Sequence, residues 1–446
     1  MTGAVSGLDW AFVCLEQQTA PMHLGAVAVF TPHRPMQPGK VAGLLAERAQ
    51  KIPRMRLRLH RSWWPLGQAH WEEHPDFRAA DHVHIHQVTA PGGRDELAAL
   101  VAELYETPLD MTRPLWEIHV ISGLDGDRFA VAVKLHHSLT DGCAAVETGL
   151  GLLDGFTPAP AADQAPDQPC GPLRVLPRPD WLFNALSSID PSAMVKQTVD
   201  GLGIASDVLR NIRLPEPGSP LHARACASRR MALIPLDRSE TRKIRAHHGG
   251  TTNDAALAII TGALRRWLSA RGHLLDGHTV RALIPVNFRA PEHSGSDHNQ
   301  LSGYLCELPV GEPDPASRVR LVRAAMDRNK ATGPLRGPGA FPILAGRMPP
   351  LAHQLAAPVA SQTAGLLFDT VITSVPLPDM KVTLGGAPLR ELYPLAPLAA
   401  GHALSIAITP FRDTIHIGIQ ANRDAVTDLE KLSDALPHAV AELTDH

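Results

Sequence analysis

Apolar and polar residues follow two periodicities along the first 155 residues, one typical of strands and the other of a helix. Residues 94–105 place Leu97, Val101 and Leu104 on one side of a helix. The turn sequence Gly-Leu-Asp-Gly-Asp separates two apolar runs, which predicts an antiparallel hairpin. Apolar or alternating runs predict strands at 27–30, 55–60, 116–122 and 128–136.

The second half of the chain returns to the same alternation of helices and strands. Residues 253–268 have a helical apolar face, and Thr251 or Thr252 can cap the helix start, with Asp254 near the positive end of its dipole. Apolar runs predict strands at 280–288, 369–375, 404–409 and 414–422. The pattern as a whole predicts an α/β protein.

A segment rich in Pro, Ala, Asp and Gln separates the two halves at 156–180. Such a composition buries too little apolar surface to fold alone, so it predicts a solvated linker. A marginal helical stretch follows at 181–212, and then a second Pro-rich break at 214–220. We therefore expect an N-terminal domain at 1–155, a linker with a helical segment at 156–220, and a C-terminal domain at 221–446.

Composition excludes several classes of protein. The chain has 446 residues, 44% of them apolar, and a net charge of -3, which argues against disorder and against nucleic-acid binding. No apolar run approaches the roughly 18 residues of a spanning helix. The N-terminus lacks a signal-peptide pattern, and the five cysteines include no C-x-x-C pair. We expect a cytoplasmic protein with reduced thiols.

The candidate chemistry lies in the segment His136-His137-Ser138-Leu139-Thr140-Asp141-Gly142. This segment follows the apolar strand and precedes a helix predicted at 142–153. A rigid scaffold holds side chains at the end of such a strand, yet leaves them open to a crevice. An imidazole there can act as a general base near neutral pH. We expect His137 to be that base, His136 to shape the loop, and Asp141 to orient the imidazole or to pair with a distant arginine.

Alternate histidines at 82–86 share one strand face, as metal ligands do. No thiol or further ligand cluster accompanies them in the sequence. We therefore expect these histidines to be structural and predict no metal site.

The segment at 136–142 resembles the active-site signature of the coenzyme-A-dependent acyltransferase superfamily. More narrowly, the chain is similar to the bacterial wax ester synthase/diacylglycerol acyltransferases from residue 8 to residue 443. The residues that carry this likeness lie in order along the chain: 8–30, Pro114-Leu115-Trp116, Asn253-Asp254, Asn299-Gln300, 373–378, the Gly-Gly-Ala-Pro-Leu-Arg segment and Gly-Ile-Gln-Ala-Asn-Arg.

The resemblance implies two chloramphenicol-acetyltransferase-like domains, each a mixed sheet flanked by helices, with an active-site crevice or tunnel between them. It implies transfer of a long-chain acyl group from acyl-CoA to a hydroxyl acceptor without a covalent intermediate. Diacylglycerol giving triacylglycerol is the first expectation, and a fatty alcohol giving wax ester is the second. Acyl-CoA would be a co-substrate, with no resident cofactor or metal. Lipid substrates without a spanning helix imply a cytoplasmic protein that is soluble or peripherally attached to the inner membrane or to lipid droplets.

By the same resemblance, Arg289 is the candidate partner of Asp141, and Gly142 completes the motif. Thr373, Ser374, Asn299 or a backbone N–H would supply contacts to the oxyanion or the thioester, and Gln300 would lie beside them. Trp116, within Pro114-Leu115-Trp116, would be structural or would line the acyl tunnel. The Asn253-Asp254 pair would cap its helix and fix the crevice wall.

One segment departs from the family pattern. Residues 374–378 read Ser-Val-Pro-Leu-Pro, where the family usually has Asn followed by Val-Pro-Gly-Pro. Two alternatives therefore stay open beside the acyl-CoA enzyme. One is a condensation enzyme that uses a carrier-protein thioester or a polyketide-lipid acceptor. The other is a catalytically silent lipid-binding protein, although such a protein would not need the base at His137.

Overall fold

The computed structural model describes residues 3–61, 69–140, 142–156, 206–208, 210–213, 219–287, 301–334, 337–348, 352–357, 364–377 and 380–444. Its strands are β1 (Gly3–Ala4), β2 (His23–Phe30), β3 (Leu57–His60), β4 (His70–Glu73), β5 (Val83–Gln87), β6 (Trp116–Ser122), β7 (Phe129–His136), β8 (Arg229–Asp237), β9 (Val280–Asn287), β10 (Leu301–Leu308), β11 (Thr370–Ser374), β12 (Thr383–Leu384), β13 (Ala387–Leu395), β14 (Leu404–Phe411) and β15 (Thr414–Asn422). Its helices are α1 (Gly7–Leu15), α2 (Pro38–Lys51), α3 (Arg94–Glu106), α4 (Gly142–Gly151), α5 (Arg238–His248), α6 (Thr252–Ala270), α7 (Pro315–Thr332), α8 (Phe341–Arg347) and α9 (Leu429–Thr444).

The first sheet has the strand order β12-β13-β2-β7-β6-β5. Strands β5 and β6 are parallel, and the other neighbours are antiparallel, including the predicted β6–β7 hairpin. Helix α2 covers one face of this sheet and α3 the other. Because both faces are covered, the central strand β7 is apolar along most of its length.

The second sheet has the order β10-β9-β11-β14-β15-β8 and is also mixed. Strand β11 runs parallel to both of its neighbours, and the remaining pairs are antiparallel. Helices α6, α7 and α9 pack their apolar faces against this sheet. Two mixed sheets flanked by helices confirm the predicted α/β fold.

The first sheet is completed by residues from the second half of the chain. Strand β13 pairs with β2 over residues 25–30, and β12 pairs with β13 at the sheet edge. The predicted domain boundaries near 155 and 221 stay a prediction. Because β12 and β13 join the first sheet, the two halves are also connected through strand pairing, which a division of the sequence into consecutive domains does not show.

Several predicted elements differ from the structure in extent or type. The strand predicted at 55–60 starts only at Leu57, because Pro53–Arg56 forms a turn of 3-10 helix that Pro53 can open. The strand predicted at 27–30 begins earlier, at His23, and the helix predicted at 142–153 ends at Gly151. The predicted linker at 156–180 and the helical stretch at 181–212 lie, apart from a few residues, outside the described part of the chain.

Among the described residues, no helix combines the length and the apolar character needed to cross a bilayer.

Candidate active site

The two histidines of the motif are fixed by backbone hydrogen bonds at the end of β7. His136 is the last residue of that strand, and its N–H donates to the carbonyl of Leu115 at 3.0 Å. The N–H of His137 donates to the carbonyl of Met22 at 2.9 Å. Neighbouring segments on both sides therefore hold the backbone of the dipeptide.

The imidazole of His136 is fully buried, does not line the cavity, and lies between Ser138 and Glu16. Its Nδ1 accepts the backbone N–H of Ser138 at 3.0 Å and lies 2.6 Å from the Ser138 hydroxyl. Its Nε2 lies 3.4 Å from Glu16 Oε2, which also accepts the N–H of Met22 at 2.5 Å. The Nδ1 contacts stay within the turn that follows the strand, which is consistent with the predicted role of His136 in shaping the loop.

The imidazole of His137 instead faces an apolar cavity and stacks on Phe12 of α1. The two ring centroids are 4.0 Å apart, with an interplanar angle of 16°. Phe12 and His137 both line the cavity, and the aromatic ring covers one face of the imidazole. Stacking of this kind orients a ring.

The loop after His137 is held from the other side by α2 and the turn that follows it. The Arg54 guanidinium donates through Nε to the carbonyl of Leu139. The N–H of Leu139 donates to the carbonyl of His136 at 2.9 Å. Charge-assisted contacts to a backbone carbonyl are stronger than neutral ones, so Arg54 fixes the turn that carries the histidine.

The cavity lies between the two sheets and has a volume of about 810 Å³. Strands β2, β7 and β13 of the first sheet line it together with β9, β11 and β14 of the second. Most of its wall is aliphatic or aromatic, and Thr373 and Ser374 of β11 are among its polar members. Pockets of roughly 300–1,000 Å³ with few polar groups enclose mainly apolar ligands.

A buried ammonium group braces the strand that carries the histidines. Lys134 is fully buried, and its Nζ donates to the carbonyls of Leu104 at 3.1 Å and Thr107 at 2.6 Å and to Glu117 Oε2 at 3.0 Å. Burial alone would raise the pKa of Glu117, but His119 and the Lys134 ammonium lower it to about 2. Burial also lowers the pKa of Lys134 from its usual value, and Glu117 opposes that shift. The pair ties β6 and β7 to the end of α3.

The Pro114-Leu115-Trp116 segment lies behind the histidines, within the core of the first sheet. Trp116 is fully buried, and its indole Nε1 donates to the carbonyl of Met55 at 2.7 Å. None of these three residues lines the cavity among the residues described. The segment contacts the motif through the Leu115 carbonyl, which accepts the His136 N–H, and Trp116 lies in the core of the sheet and not on the cavity wall.

The Asn253-Asp254 pair lies in the first turn of α6. Thr251 is the N-cap, and its Oγ1 accepts the N–H of Asp254 at 3.2 Å, while Asp254 Oδ2 accepts the N–H of Thr251 at 2.8 Å. This reciprocal pair is a capping box. Lys330 Nζ lies 3.6 Å from the buried Asp254 carboxylate. Neither residue lines the cavity among the described residues, and both lie at the helix start. That the pair fixes the crevice wall stays a prediction.

Four of the residues predicted for the site lie outside the described part of the chain: Asp141, Arg289, Asn299 and Gln300. Gly142 is described as the first residue of α4. The structure thus brings together His137, Thr373 and Ser374 at one cavity, with His136 buried next to His137, and the pairing of Asp141 with Arg289 stays a prediction.

Sequence reasoning missed Phe12, Glu16 and Arg54, which contact the motif or its loop. Phe12 and Glu16 fall in the opening segment that carried part of the family resemblance, but no spacing rule connects them to residues 120 positions away. Arg54 lies in a run of alternating arginines at 54, 56 and 58, where the sequence gives no reason to single it out. Only the tertiary fold distinguishes it from Arg56 and Arg58, which pair with glutamates of β4.

The histidine stripe at 82–86 divides between two environments. His82 is buried and stacks on Trp116, with ring centroids 4.7 Å apart. His84 and His86 lie beside His119 of β6, and His86 Nε2 is 3.1 Å from His119 Nδ1. Burial lowers the pKa of His84 and of His86, which favours neutral rings that contact one another.

Comparison with known proteins gives consistent matches over the whole chain. The family model described as the wax ester synthase/diacylglycerol acyltransferase catalytic domain matches residues 5–256, and that of the WS/DGAT C-terminal domain matches residues 298–444. A probable diacylglycerol O-acyltransferase of Mycobacterium tuberculosis is 30% identical over 446 residues, covering 98% of this chain and 94% of its own length. A second one from that organism is 29% identical over 452 residues, covering 98% of this chain and 97% of its own.

Solved structures show the same fold at lower sequence identity. The wax ester synthase/diacylglycerol acyltransferase of Marinobacter aquaeolei matches with a TM-score of 0.71 and 24% identity, over 99% of this chain and 98% of its own. A starter condensation domain of rhizomide synthetase matches with a TM-score of 0.61 and 15% identity, over 100% of this chain and 94% of its own. The predicted two-sheet acyltransferase fold is therefore confirmed.

Proposed function

Because this chain belongs to the wax ester synthase/diacylglycerol acyltransferase family and is an O-acyltransferase, we propose that it moves a long-chain acyl group from acyl-CoA to diacylglycerol, giving triacylglycerol. Two relatives from Mycobacterium tuberculosis carry the name diacylglycerol O-acyltransferase, which favours this acceptor over a fatty alcohol.

The observation that carries the proposal is the position of His137 on the wall of a large apolar cavity. A base at the boundary between a buried strand and an apolar space can meet a reactive headgroup while the aliphatic chains fill the cavity. Thr373 and Ser374 also line the cavity, from the second sheet, and carry hydroxyl groups. An apolar enclosure also excludes water, which would otherwise hydrolyse the thioester.

The proposed reaction uses His137 twice. First, the imidazole takes the proton of the acceptor hydroxyl while that oxygen attacks the thioester carbonyl carbon. A tetrahedral oxyanion forms, and hydrogen-bond donors near it lower its energy. The C–S bond then breaks, the thiolate takes the proton from the imidazolium, and the ester and free CoA leave. His137 returns to its neutral state, and no covalent acyl-enzyme forms.

The neighbouring residues would position the base and take no part in bond changes. Phe12 holds the plane of the His137 ring, and the carbonyl of Met22 fixes its backbone. Proton transfer through one imidazole needs no metal or resident cofactor, so we propose that acyl-CoA and the acceptor are the only small molecules required. Since both substrates are lipids, we propose that the protein works at the surface of a membrane or lipid droplet.

The test is an acceptor panel with palmitoyl-CoA and purified protein. Thiol release and lipid product would be measured with 1,2-dipalmitoylglycerol, with hexadecanol and without acceptor. The proposal expects triacylglycerol as the main product and little thiol release without acceptor. A product made only from hexadecanol would identify a wax ester synthase instead. Release only from an acyl carrier protein thioester, or from no donor, would contradict the proposal.

A further inference from the structure

One wall of the cavity is the face of α4, which begins five residues after His137. Ala145, Val146, Gly149 and Leu150 of this helix line the cavity, and Leu153 continues the same line after the helix ends. This spacing places one helical face along the cavity from the end nearest the motif. A linear substrate that enters beside His137 can therefore extend along the helix.

Gly149 lies near the middle of that face, and its backbone does not require glycine. It lies within α4 and its φ is not in the left-handed region, so an L residue fits its conformation. A Cβ atom built on it would meet no heavy atom within 4 Å. Glycine inside a helix is less favourable than alanine. Neither backbone conformation nor close packing requires glycine at this position, and Gly149 differs from Gly43 of α2, where a Cβ would also meet open space, in that it lines the cavity.

We propose that Gly149 determines the length of the fatty chain that the enzyme accepts, because its missing side chain leaves open the passage along α4. This inference rests on the proposed acyltransferase function and adds a specificity residue to it. The shared chemistry is a linear alkyl chain, which can belong to the acyl-CoA donor or to the acceptor, and the experiment distinguishes the two.

The helix geometry indicates which carbons are affected. At about 1.5 Å per residue, Gly149 lies about 10 Å along α4 from Gly142. An extended alkyl chain advances about 1.2 Å per carbon for bonds of about 1.5 Å. A bulky residue at 149 therefore meets a chain about eight carbons from a thioester held near the start of the helix. Shorter chains would pass unaffected.

The substitutions are Gly149→Ala, Gly149→Leu and Gly149→Phe, with Gly43→Leu as the matched control. Gly43 is an exposed residue of α2, a Cβ there would also meet no heavy atom within 4 Å, and it does not line the cavity. Both positions exchange a helical glycine for the same side chain, but only one of them fills the passage. Melting temperature and circular dichroism check that each variant is folded.

The assay measures kcat/KM for acyl-CoA donors from C8 to C18 with one short-chain diacylglycerol, and for acceptors of increasing chain length with octanoyl-CoA. Each methylene kept out of the cavity lowers kcat/KM about fourfold, from about 0.8 kcal/mol per buried methylene. We expect Gly149→Leu to lower the C16/C8 ratio by at least about tenfold in one of the two series, and Gly149→Phe to lower it further. Gly149→Ala and Gly43→Leu should keep the wild-type ratio.

Folded Gly149→Leu and Gly149→Phe variants with the wild-type chain-length profile in both series would overturn the inference. A wild-type protein that releases no thiol from any donor would instead contradict the proposed acyltransferase function. In that case, binding of octanoate and palmitate measured by calorimetry still decides the inference. Palmitate binding that is lost in Gly149→Leu but kept in Gly43→Leu, with octanoate binding kept in both, supports it, and equal palmitate binding in both overturns it.

Discussion

Asp154 fastens the end of α4 to β12 and β13, and its replacement by Asn should weaken the fold measurably at neutral pH. Its carboxylate contacts Arg48 at 2.5 Å, the Thr383 hydroxyl at 2.7 Å and the backbone N–H groups of Gly385 and Gly386 at 3.0 and 2.8 Å. Burial alone would raise the pKa of Asp154, but the Gly386 N–H, Arg48, Thr383 and the Gly385 N–H together lower it to about 2.

The size of the effect follows from that pKa. An unfolded aspartate titrates near pH 3.9, so a folded pKa of about 2 corresponds to roughly 2.5 kcal/mol if no solvent screening applied. The side chain is 26% exposed, and screening reduces this to about 1–2 kcal/mol. Because the folded pKa is the lower one, the contribution is complete well above pH 4 and is lost as the pH falls towards about 2.

Urea unfolding of the wild type and Asp154→Asn at pH 7 and pH 3 measures this contribution. We expect the variant to be about 1–2 kcal/mol less stable at pH 7, with about half of that difference left at pH 3. Asp125→Asn is the control, because Asp125 is 58% exposed and forms a surface pair with Arg128. Its loss should cost less than about 0.5 kcal/mol. Equal stability of Asp154→Asn and wild type at pH 7, or a difference that grows on acidification, would refute the reasoning.

Two further substitutions test the support of the histidine. Phe12→Leu keeps an apolar side chain but removes the ring stack on His137, so we expect kcat to fall about 2- to 10-fold with little change in KM. Steady-state kinetics with palmitoyl-CoA measures this effect, and an unchanged kcat would argue against a positioning role. Lys134→Met leaves the Glu117 carboxylate without its ammonium partner, which should cost about 3–5 kcal/mol in urea unfolding at pH 7. Glu117→Gln with Lys134→Met should recover part of that loss, and a neutral single substitution would contradict the assigned brace.

The sequence pattern predicts the bounds of a strand where a clear apolar run lies between turn residues. The strands predicted at 116–122 and 414–422 match β6 and β15 to the residue. The chain around Met55 shows where pattern fails, because Pro53 opens a 3-10 turn and the Met55 carbonyl accepts the Trp116 indole N–H. Trp116 lies 61 positions from Met55, so a short stretch of sequence around Met55 does not reveal this hydrogen bond.

The same distinction applies to the site. The end of β7 at His136 follows from the apolar run, and the motif identifies the candidate base from the residues themselves. The stack of Phe12 on His137, the contact of Glu16 with His136 and the pairing of β13 with β2 all join segments far apart in the chain. The spacing of residues in the sequence does not predict such contacts. Only the folded arrangement shows that α1 lines the cavity next to His137.

If His137 is the base of the acyl transfer, removal of its imidazole should abolish turnover in a protein that still folds. CoA release from palmitoyl-CoA with 1,2-dipalmitoylglycerol is compared for wild type, His137→Ala and His247→Ala, with melting temperatures as the folding check. His247 is exposed and is followed by His248, so it belongs to another His-His pair of the sequence and serves as the matched control. We expect a loss of about 10²- to 10⁴-fold in kcat for His137→Ala and wild-type activity for His247→Ala. A folded His137→Ala protein that keeps wild-type turnover would contradict it.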